Sequence, residues 1–513
     1  MNISNKLLKI SALIIISYLL ISTGLHGDDY TVISILDKTD IFGFLSFEGA
    51  PIMALNAVTY YSFWWPFFLF GNEYQWVYDL IKIVAHIIGV FFVYKFSTDY
   101  LPKDRAILVS IIFIFYPLHD TTAYWYMTVP YVLIPATILY AHHLIRNNKS
   151  TLGFIVSMLG AFSYYVSPPY TFGLSVIFLF EKNFKKAIIF VTPGVLYVAY
   201  YFWFKFHYVE VERRISSDLS ILDFLKQMLI QPLSFLESAI GPSYWLKVFY
   251  AIESIGFISI IIIAMILIFS FIRVKLFSKV RKLPKSLYIG LISVLLLSFG
   301  MFALTGLYSH SAFNLGNRTT VYGSLFIAFL LAALLPANKK SAIFLLIIFL
   351  APVFGLSDHW KNWNENQKVV IENIKNNQDL KEIESDSTLI ITGNLYSKLG
   401  EYSHIEFFSM PWNVNAIFHN NTKTKTIVAI TPYTEIREGY LVDLKFSGKY
   451  SLKNKLYVYD SEKNLVKSLS YKDVPRLIKQ QPKIIRHWVQ LFKNTWVQDI
   501  IVWLSPRLVY LFK

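Results

Sequence analysis

The sequence predicts a polytopic α-helical membrane protein, with about eleven transmembrane helices and a C-terminal extracytoplasmic α+β domain. Three observations carry that expectation. Hydrophobic residues make up 55% of the chain and charged residues only 16%, with a mean hydropathy of +0.46, whereas soluble domains are usually about 25% charged. Apolar runs long enough to approach the hydrocarbon thickness recur from Leu7 to Leu356. After Leu356 the chain turns polar and then alternates as strands do. A soluble enzyme, a disordered chain and a coiled coil are thereby set aside.

The first apolar run, Leu7–Leu25, holds one charge, Lys9, and no A-x-A-like cleavage site follows it, so it reads as an uncleaved anchor rather than a signal peptide. Further spans are expected at Gln75–Phe96, Ala106–Leu118, Val129–Ile145, Thr151–Val166, Tyr170–Phe180, Ala187–Phe206, Val248–Ile272, Leu287–Tyr308, Thr319–Pro336 and Ser341–Leu356. The 48 Lys+Arg against 33 Asp+Glu give a net +15. One alternate set of connections holds the cations: Lys103/Arg105, Arg146/Lys149, Lys182/Lys185/Lys186, Arg273–Lys285 and Lys339/Lys340. By the positive-inside rule these face the cytoplasm together with the N-terminus. An odd number of spans then places the chain after Leu356 outside. The abundant Lys, Asn and Ile suggest an AT-rich genome, hence a bacterial inner membrane. No motif for RNA or DNA is present, so no nucleic-acid partner is expected. Cysteine is absent, which excludes disulfides, thiolate metal sites and a Cys nucleophile.

Three units follow: residues 1–356 as the membrane module, 357–481 as a small extracytoplasmic α+β domain, and 482–513 as an amphipathic helix on the membrane surface. Strands are expected at Thr388–Thr392, Thr426–Ile430, Leu441–Phe446 and Leu456–Tyr459, with a hairpin turn at Asp460–Asn464. In the last unit Trp488, Phe492, Trp496, Ile500 and Trp503 recur near helical spacing. The outer connection Tyr30–Gly71 is rich in aromatics (Tyr60, Tyr61, Trp64, Trp65, Phe67, Phe68), and His207–Lys247 mixes Glu210, Glu212, Arg213, Arg214, Asp218 and Asp223 with apolar turns. Both suit interfacial helices.

The residues able to carry chemistry cluster at the outer ends of spans. His26-Gly27-Asp28-Asp29-Tyr30 puts two carboxylates at the hydrocarbon boundary, where they are costly unless partnered or used. One could act as a general base toward a sugar hydroxyl; the bland alternative is a solvated pair at a helix end. Pro117-Leu118-His119-Asp120 lies at the same face. His119 and Asp120 could bind a phosphate-bearing substrate or a metal, or Asp120 could simply cap the Thr121-Thr122 helix start. Arg318 is the only Lys or Arg in the connection Ser309–Arg318, which contains no acid. Its guanidinium suits phosphate oxygens, or it snorkels to headgroups. Asp28, Asp29, His119 and Asp120 could serve a divalent cation, although they show no fixed ligand spacing.

An acidic doublet in a long first outer loop, many following spans and a soluble outer domain resemble the GT-C superfamily of lipid-phosphosugar-dependent glycosyltransferases. The layout matches from Met1 to about Leu356, and Asp28-Asp29 stands where that family has its acidic pair, often Asp-Glu. The resemblance implies that Asp28 is the catalytic base with Asp29 assisting in acceptor or metal binding, the Asp-Asp form of the pair leaving both carboxylates open as the base, that His119-Asp120 occupies the place of the second outer-loop motif, and that Arg318, with His119, holds donor phosphate. It implies a polyprenyl-phosphate-linked sugar donor, a glycan, lipid or protein acceptor, and inverting displacement on the outer face. Rival readings are an O-antigen-type polymerase, disfavoured by the short late loop, and a transporter or lipid flippase. The flippase reading calls for working charges within spans, for which Lys82, His86, His142, His143 and Glu253 are the candidates. No G-x-S-x-G, P-loop or dinucleotide fingerprint appears.

Overall fold

The computed structural model describes all residues except 1–2, 37–55, 208–219, 274–277, 281, 307–308, 336–337, 446–447, 453, 482–483 and 513. Glu210, Glu212, Arg213, Arg214 and Asp218 therefore lie outside the described residues, as do the side chains of Tyr60 and Tyr61.

Helix stands at each position expected to span, but several segments are shorter than expected. Among the described residues five helices have the length and apolarity to cross a membrane, at Gln75–Ser97, Tyr126–Arg146, Phe184–His207, Lys285–Thr305 and Leu315–Leu334. A sixth arises if the bent pair Ile221–Glu253 and Phe257–Phe269 counts as one span. The expected count of about eleven is thus not met by length. The physical reasons are local. Lys103–Ile114 stops ahead of Pro117, which opens a separate turn. The expected span Val248–Ile272 is divided at Ser254–Gly256 and bent by 103°. Ser150–Ala161 and Ser167–Phe180 are apolar but short.

The basic connections gather on one face. Arg105 donates from Nη1 to the carbonyls of Ala332 (2.6 Å) and Leu335 (2.7 Å). Arg146 pairs with Glu181 at 2.8 Å, and Lys186 donates to the Arg146 carbonyl. The turn Ser22–Asp28, the segment Pro117–Thr128 and the connection ahead of Val321 share the other face, with the β-rich region above them.

The turn that delivers Asp28 is clamped. Asp79 accepts from the Ser22 amide (2.7 Å) and the Gly24 amide (3.2 Å) and pairs with Lys82 at 2.9 Å. Lys82 also donates to Thr23 Oγ1 (2.5 Å) and to the carbonyls of Gly24 and Tyr124. Lys82 is thus consumed by the turn rather than lining a transport path. Gly24 sits at φ +68° against Asn364, where a Cβ would overlap the amide, so only glycine fits.

The helix Lys339–Asn376 runs unbroken through the expected boundary at 356/357. Ser357 bonds the Leu19 carbonyl (2.7 Å) and Asn364 bonds the Ser22 carbonyl (3.1 Å), so this helix ties the β-rich region to the first helix. Beyond it come nine strands, taken in chain order: β1 (Thr388–Thr392), β2 (Tyr396–Leu399), β3 (Tyr402–Glu406), β4 (Thr426–Ala429), β5 (Thr434–Arg437), β6 (Tyr440–Asp443), β7 (Gly448–Ser451), β8 (Leu456–Asp460) and β9 (Leu465–Leu469). The main sheet has the order β4-β1-β8-β9, with β1 parallel to both β4 and β8. β8 and β9 form the hairpin expected at Asp460–Asn464, with Asn464 at φ +52°. β2-β3 and β5-β6-β7 are separate antiparallel units.

One apolar core crosses the expected domain boundary. Leu25, Tyr30 and Ile33 bury with Phe407, Val414 and Phe418. The helix Asp28–Leu36 therefore packs directly on Pro411–Phe418, and Thr31 donates to Asn413 at 2.6 Å. At the C-terminus the single expected amphipathic helix is broken into Trp488–Phe492, Trp496–Leu504 and Pro506–Phe512. Asn494 at φ +62° and Pro506 interrupt it.

Candidate functional site

A cavity of about 1020 Å³ opens where the membrane helices meet the β-rich region. Its character changes along its length. At one end Asp28, Glu406, Trp412, Lys445 and Arg486 gather, and Arg318 lines the wall beside Tyr131. The other end is lined by Phe172, Val198, Phe202, Leu296, Leu297 and Met301 from helices Ser167–Phe180, Phe184–His207 and Lys285–Thr305. Phe202, Leu296 and Leu304 are 57%, 55% and 43% exposed, so this end is open sideways at the level of the apolar helices.

The acidic doublet splits. Asp28 opens the helix Asp28–Leu36 and faces the cavity, where its Oδ1 accepts from Trp412 Nε1 at 2.7 Å. Asp29, one residue or about 100° further round the helix, is absent from the cavity wall and fully buried. Its Oδ2 accepts from the His26 amide at 2.9 Å, which closes the turn ahead of the helix. Burial pushes the Asp29 carboxyl well above the usual carboxylate range, against the opposing pull of the His26 amide and Lys82.

Arg318 sits on the 3-10 turn Leu315–Thr320, lines the same cavity, and stacks its guanidinium 5.3 Å from the Tyr131 ring centre. Lys205, near the end of Phe184–His207, also lines the cavity and lies over Tyr201.

His119 and Asp120 are elsewhere. His119 is buried, with Nδ1 2.7 Å from Thr122 Oγ1, and lies outside the cavity wall. Asp120 lies behind the wall as a hub. Its Oδ1 accepts from Lys247 Nζ and Asn317 Nδ2, both at 2.5 Å, and its Oδ2 from Trp360 Nε1 (2.7 Å) and His404 Nε2 (2.8 Å). It makes no side-chain cap to the helix that follows. Burial raises its pKa, but the cationic Lys247 and the His404 contact outweigh that and hold the carboxyl below its usual range. The hub fixes both neighbours of the cavity: Asn317 precedes Arg318, and His404 alternates with Glu406 along β3. The set Asp28, Asp29, His119 and Asp120 does not converge, and among the described residues no three His, Asp or Glu side chains gather as a cation site requires.

Four cavity residues were not singled out from the sequence. Glu406 is buried on β3, and burial raises its carboxyl while Lys445 and Arg486 oppose the shift. Lys445 is lowered first by burial, with Glu406 opposing. Arg486 donates from Nη2 to the Tyr396 hydroxyl and stacks on Tyr396 and Tyr433 at 4.8 and 5.3 Å. Trp412 comes from the first turn of Pro411–Phe418. The one sequence signal was the alternation of His404 and Glu406 in a strand-like run.

The imidazoles around this site are held neutral. Burial pushes His26, His119, His310 and His359 down to about 3. In the unfolded chain each returns to about 6.5. Below that pH the unfolded chain therefore binds more protons, and stability falls as pH drops from about 6.5 toward 3. The loss is roughly 1.4 kcal/mol per histidine per pH unit. A melting temperature that falls steeply between about pH 7 and pH 5 is the expected result; a flat profile would mean that these rings take up protons as readily in the fold as in the unfolded chain.

No family model matches the chain, and no curated protein matches it by sequence. Among solved structures it is similar to the crystal structure of ArnT from Cupriavidus metallidurans bound to undecaprenyl phosphate, at 10% identity and a TM-score of 0.39, over 95% of this chain and 97% of that one.

Proposed function

We propose that this protein is an integral-membrane glycosyltransferase of the GT-C type. It moves a sugar from a polyprenyl-phosphate donor to a glycan, lipid or protein acceptor of the cell envelope, on the outer face of the cytoplasmic membrane. The observation that carries the proposal is a cavity in which a carboxylate, guanidinium groups and a sideways-open apolar arm are joined. An amphiphilic donor fits that gradient: its isoprenoid chain between Phe202 and Leu296, its phosphate toward Arg318, its sugar toward Asp28. Asp28 takes the proton of the acceptor hydroxyl as that oxygen attacks the anomeric carbon. The bond to the phosphate oxygen breaks, and Arg318 stabilises the departing phosphate. One displacement without a covalent intermediate inverts the anomeric centre. Asp29 shapes the turn rather than reacting, and Asp120 with His119 supports the wall from behind. The cations of the opposite face support a cytoplasmic position for that face and for the N-terminus.

The test is transfer by the purified, reconstituted protein from a labelled polyprenyl-phosphosugar. An inverted glycosidic product is expected. Transbilayer movement of the donor with no product would instead establish the flippase reading. Trp412 gives a finer check. Its hydrogen bond orients Asp28, and a bond to a charged group is worth about 1.5–3 kcal/mol. Trp412→Phe is expected to slow transfer roughly tenfold or more, with donor binding little changed; an unchanged rate would remove Trp412 from the account.

A further inference from the structure

The helix Ile221–Ile240 turns an apolar stripe outward. Leu222, Leu225, Leu229, Leu233, Leu236 and Ile240 recur at intervals of three and four residues and are all at least half exposed. That spacing is one continuous face of a helix. The buried side is mixed, with Gln227, Gln231 and Ser238 among Ile230, Phe235 and Ala239. In water the outward apolar stripe gains nothing by facing solvent. Against hydrocarbon it is the right way round.

The C-terminal segment extends the same surface. Trp496, Ile500 and Trp503 sit on one exposed face of Trp496–Leu504. The two helices are fastened together. Lys226 lies 4.6 Å from the Trp503 ring centre, Gln227 donates to Ser505 (3.2 Å), and Trp488 donates to Glu237 (2.7 Å). Tryptophan beside Lys226, Lys493 and Arg507 is the composition of a membrane–water interface. The surface is also continuous with the cavity's open side, since Phe224 of the same helix lines the cavity.

We propose that Ile221–Ile240 and the segment from Trp488 to Phe512 form one platform seated in the lipid leaflet on the cavity's face. By lying there the C-terminal segment holds two cavity residues in place. It leaves β3 where the Ser403 amide bonds the Ile485 carbonyl (2.8 Å), sets Arg486 in the cavity, crosses the platform, and returns Tyr510 to the cavity wall beside Tyr433. The partner is the bilayer itself, and the inference stands independently of the reaction catalysed.

The chain contains no cysteine, so single-cysteine spin labels need no background removal. Four full-length variants, Leu229→Cys, Trp503→Cys, Ile268→Cys and Glu435→Cys, are labelled and reconstituted into vesicles of phosphatidylethanolamine and phosphatidylglycerol. Collisional accessibility to oxygen and to a water-soluble nickel chelate is then measured. All four positions are exposed; Trp503→Cys gives up the ring's contact with Lys226 and leaves the Gln227–Ser505 and Trp488–Glu237 bonds to hold the platform together. Labels at 229 and 503 are expected to favour oxygen as the label at 268, on an apolar helix, does, and to differ from the label at 435 on the β-rich region. The proposal is overturned if either platform label follows position 435, or if either is shielded from both reagents, as a covering protein or a second copy would shield it.

Discussion

Asp28→Asn is expected to reduce sugar transfer on the order of 10²–10⁴-fold, the range for loss of a positioned general base, while Asp29→Asn keeps activity within roughly tenfold of the parent. The contrast follows from one residue of helical rotation. Asp28 faces the cavity and is oriented by Trp412. Asp29 is buried away from it, spending one oxygen on the His26 amide, a bond that an asparagine carbonyl can still accept. Because Asn is nearly isosteric with Asp, neither variant should lose its fold, and matched melting temperatures would show that. Initial rates at saturating donor separate the two. Equal rates in parent and Asp28→Asn, or a larger loss in Asp29→Asn, would assign the base elsewhere.

Asp120→Ala is expected to act on stability first. It strips a fully buried Lys247 of its counter-charge at 2.5 Å and leaves Trp360, His404 and Asn317 without their acceptor. Breaking one side of a buried pair costs about 3–5 kcal/mol, far more than the loss of an exposed charge. Thermal unfolding in detergent should show a large drop. The double variant Asp120→Ala/Lys247→Met should recover part of it, since the uncompensated ammonium is then gone. A single variant that melts like the parent but cannot transfer sugar would make Asp120 a participant in the reaction instead.

These two residues also mark how far the sequence could be read. Asp28 was legible because a carboxylate at the hydrocarbon boundary is improbable without a use, and Arg318 because it is the only basic residue in an acid-free connection. Both lie on the cavity. Asp120 looked equally reactive, but what surrounds it comes from residues 127 to 284 positions away, and no local pattern announces such partners. Glu406, Trp412, Lys445 and Arg486 escaped for the same reason. They sit on short strands, turns and helix starts whose value depends on the β-rich region packing against the first outer helix. Strands β1, β4, β6 and β8 are expected from β-branched and alternating runs, and β3, which carries Glu406, is not among those expected although His404 and Glu406 alternate in it. That only five or six helices among the described residues reach spanning length has a different physical cause. Apolar composition marks what can sit in lipid, but proline and backbone turns decide where a helix stops, as at Pro117 and Ser254–Gly256.

If one cavity seats the lipid-borne phosphate and its chain together, a polyprenyl phosphate bearing a diazirine on its first isoprene units will photo-crosslink there in the reconstituted protein, and the labelled peptides can be mapped. Labelling is expected within Phe184–His207 and Lys285–Thr305, around Phe202 and Leu296, competed by unlabelled polyprenyl phosphate and strongly reduced in Arg318→Ala. Labelling confined to other lipid-facing helices such as Phe257–Arg273, or labelling in this cavity indifferent to both competitor and Arg318→Ala, would contradict it.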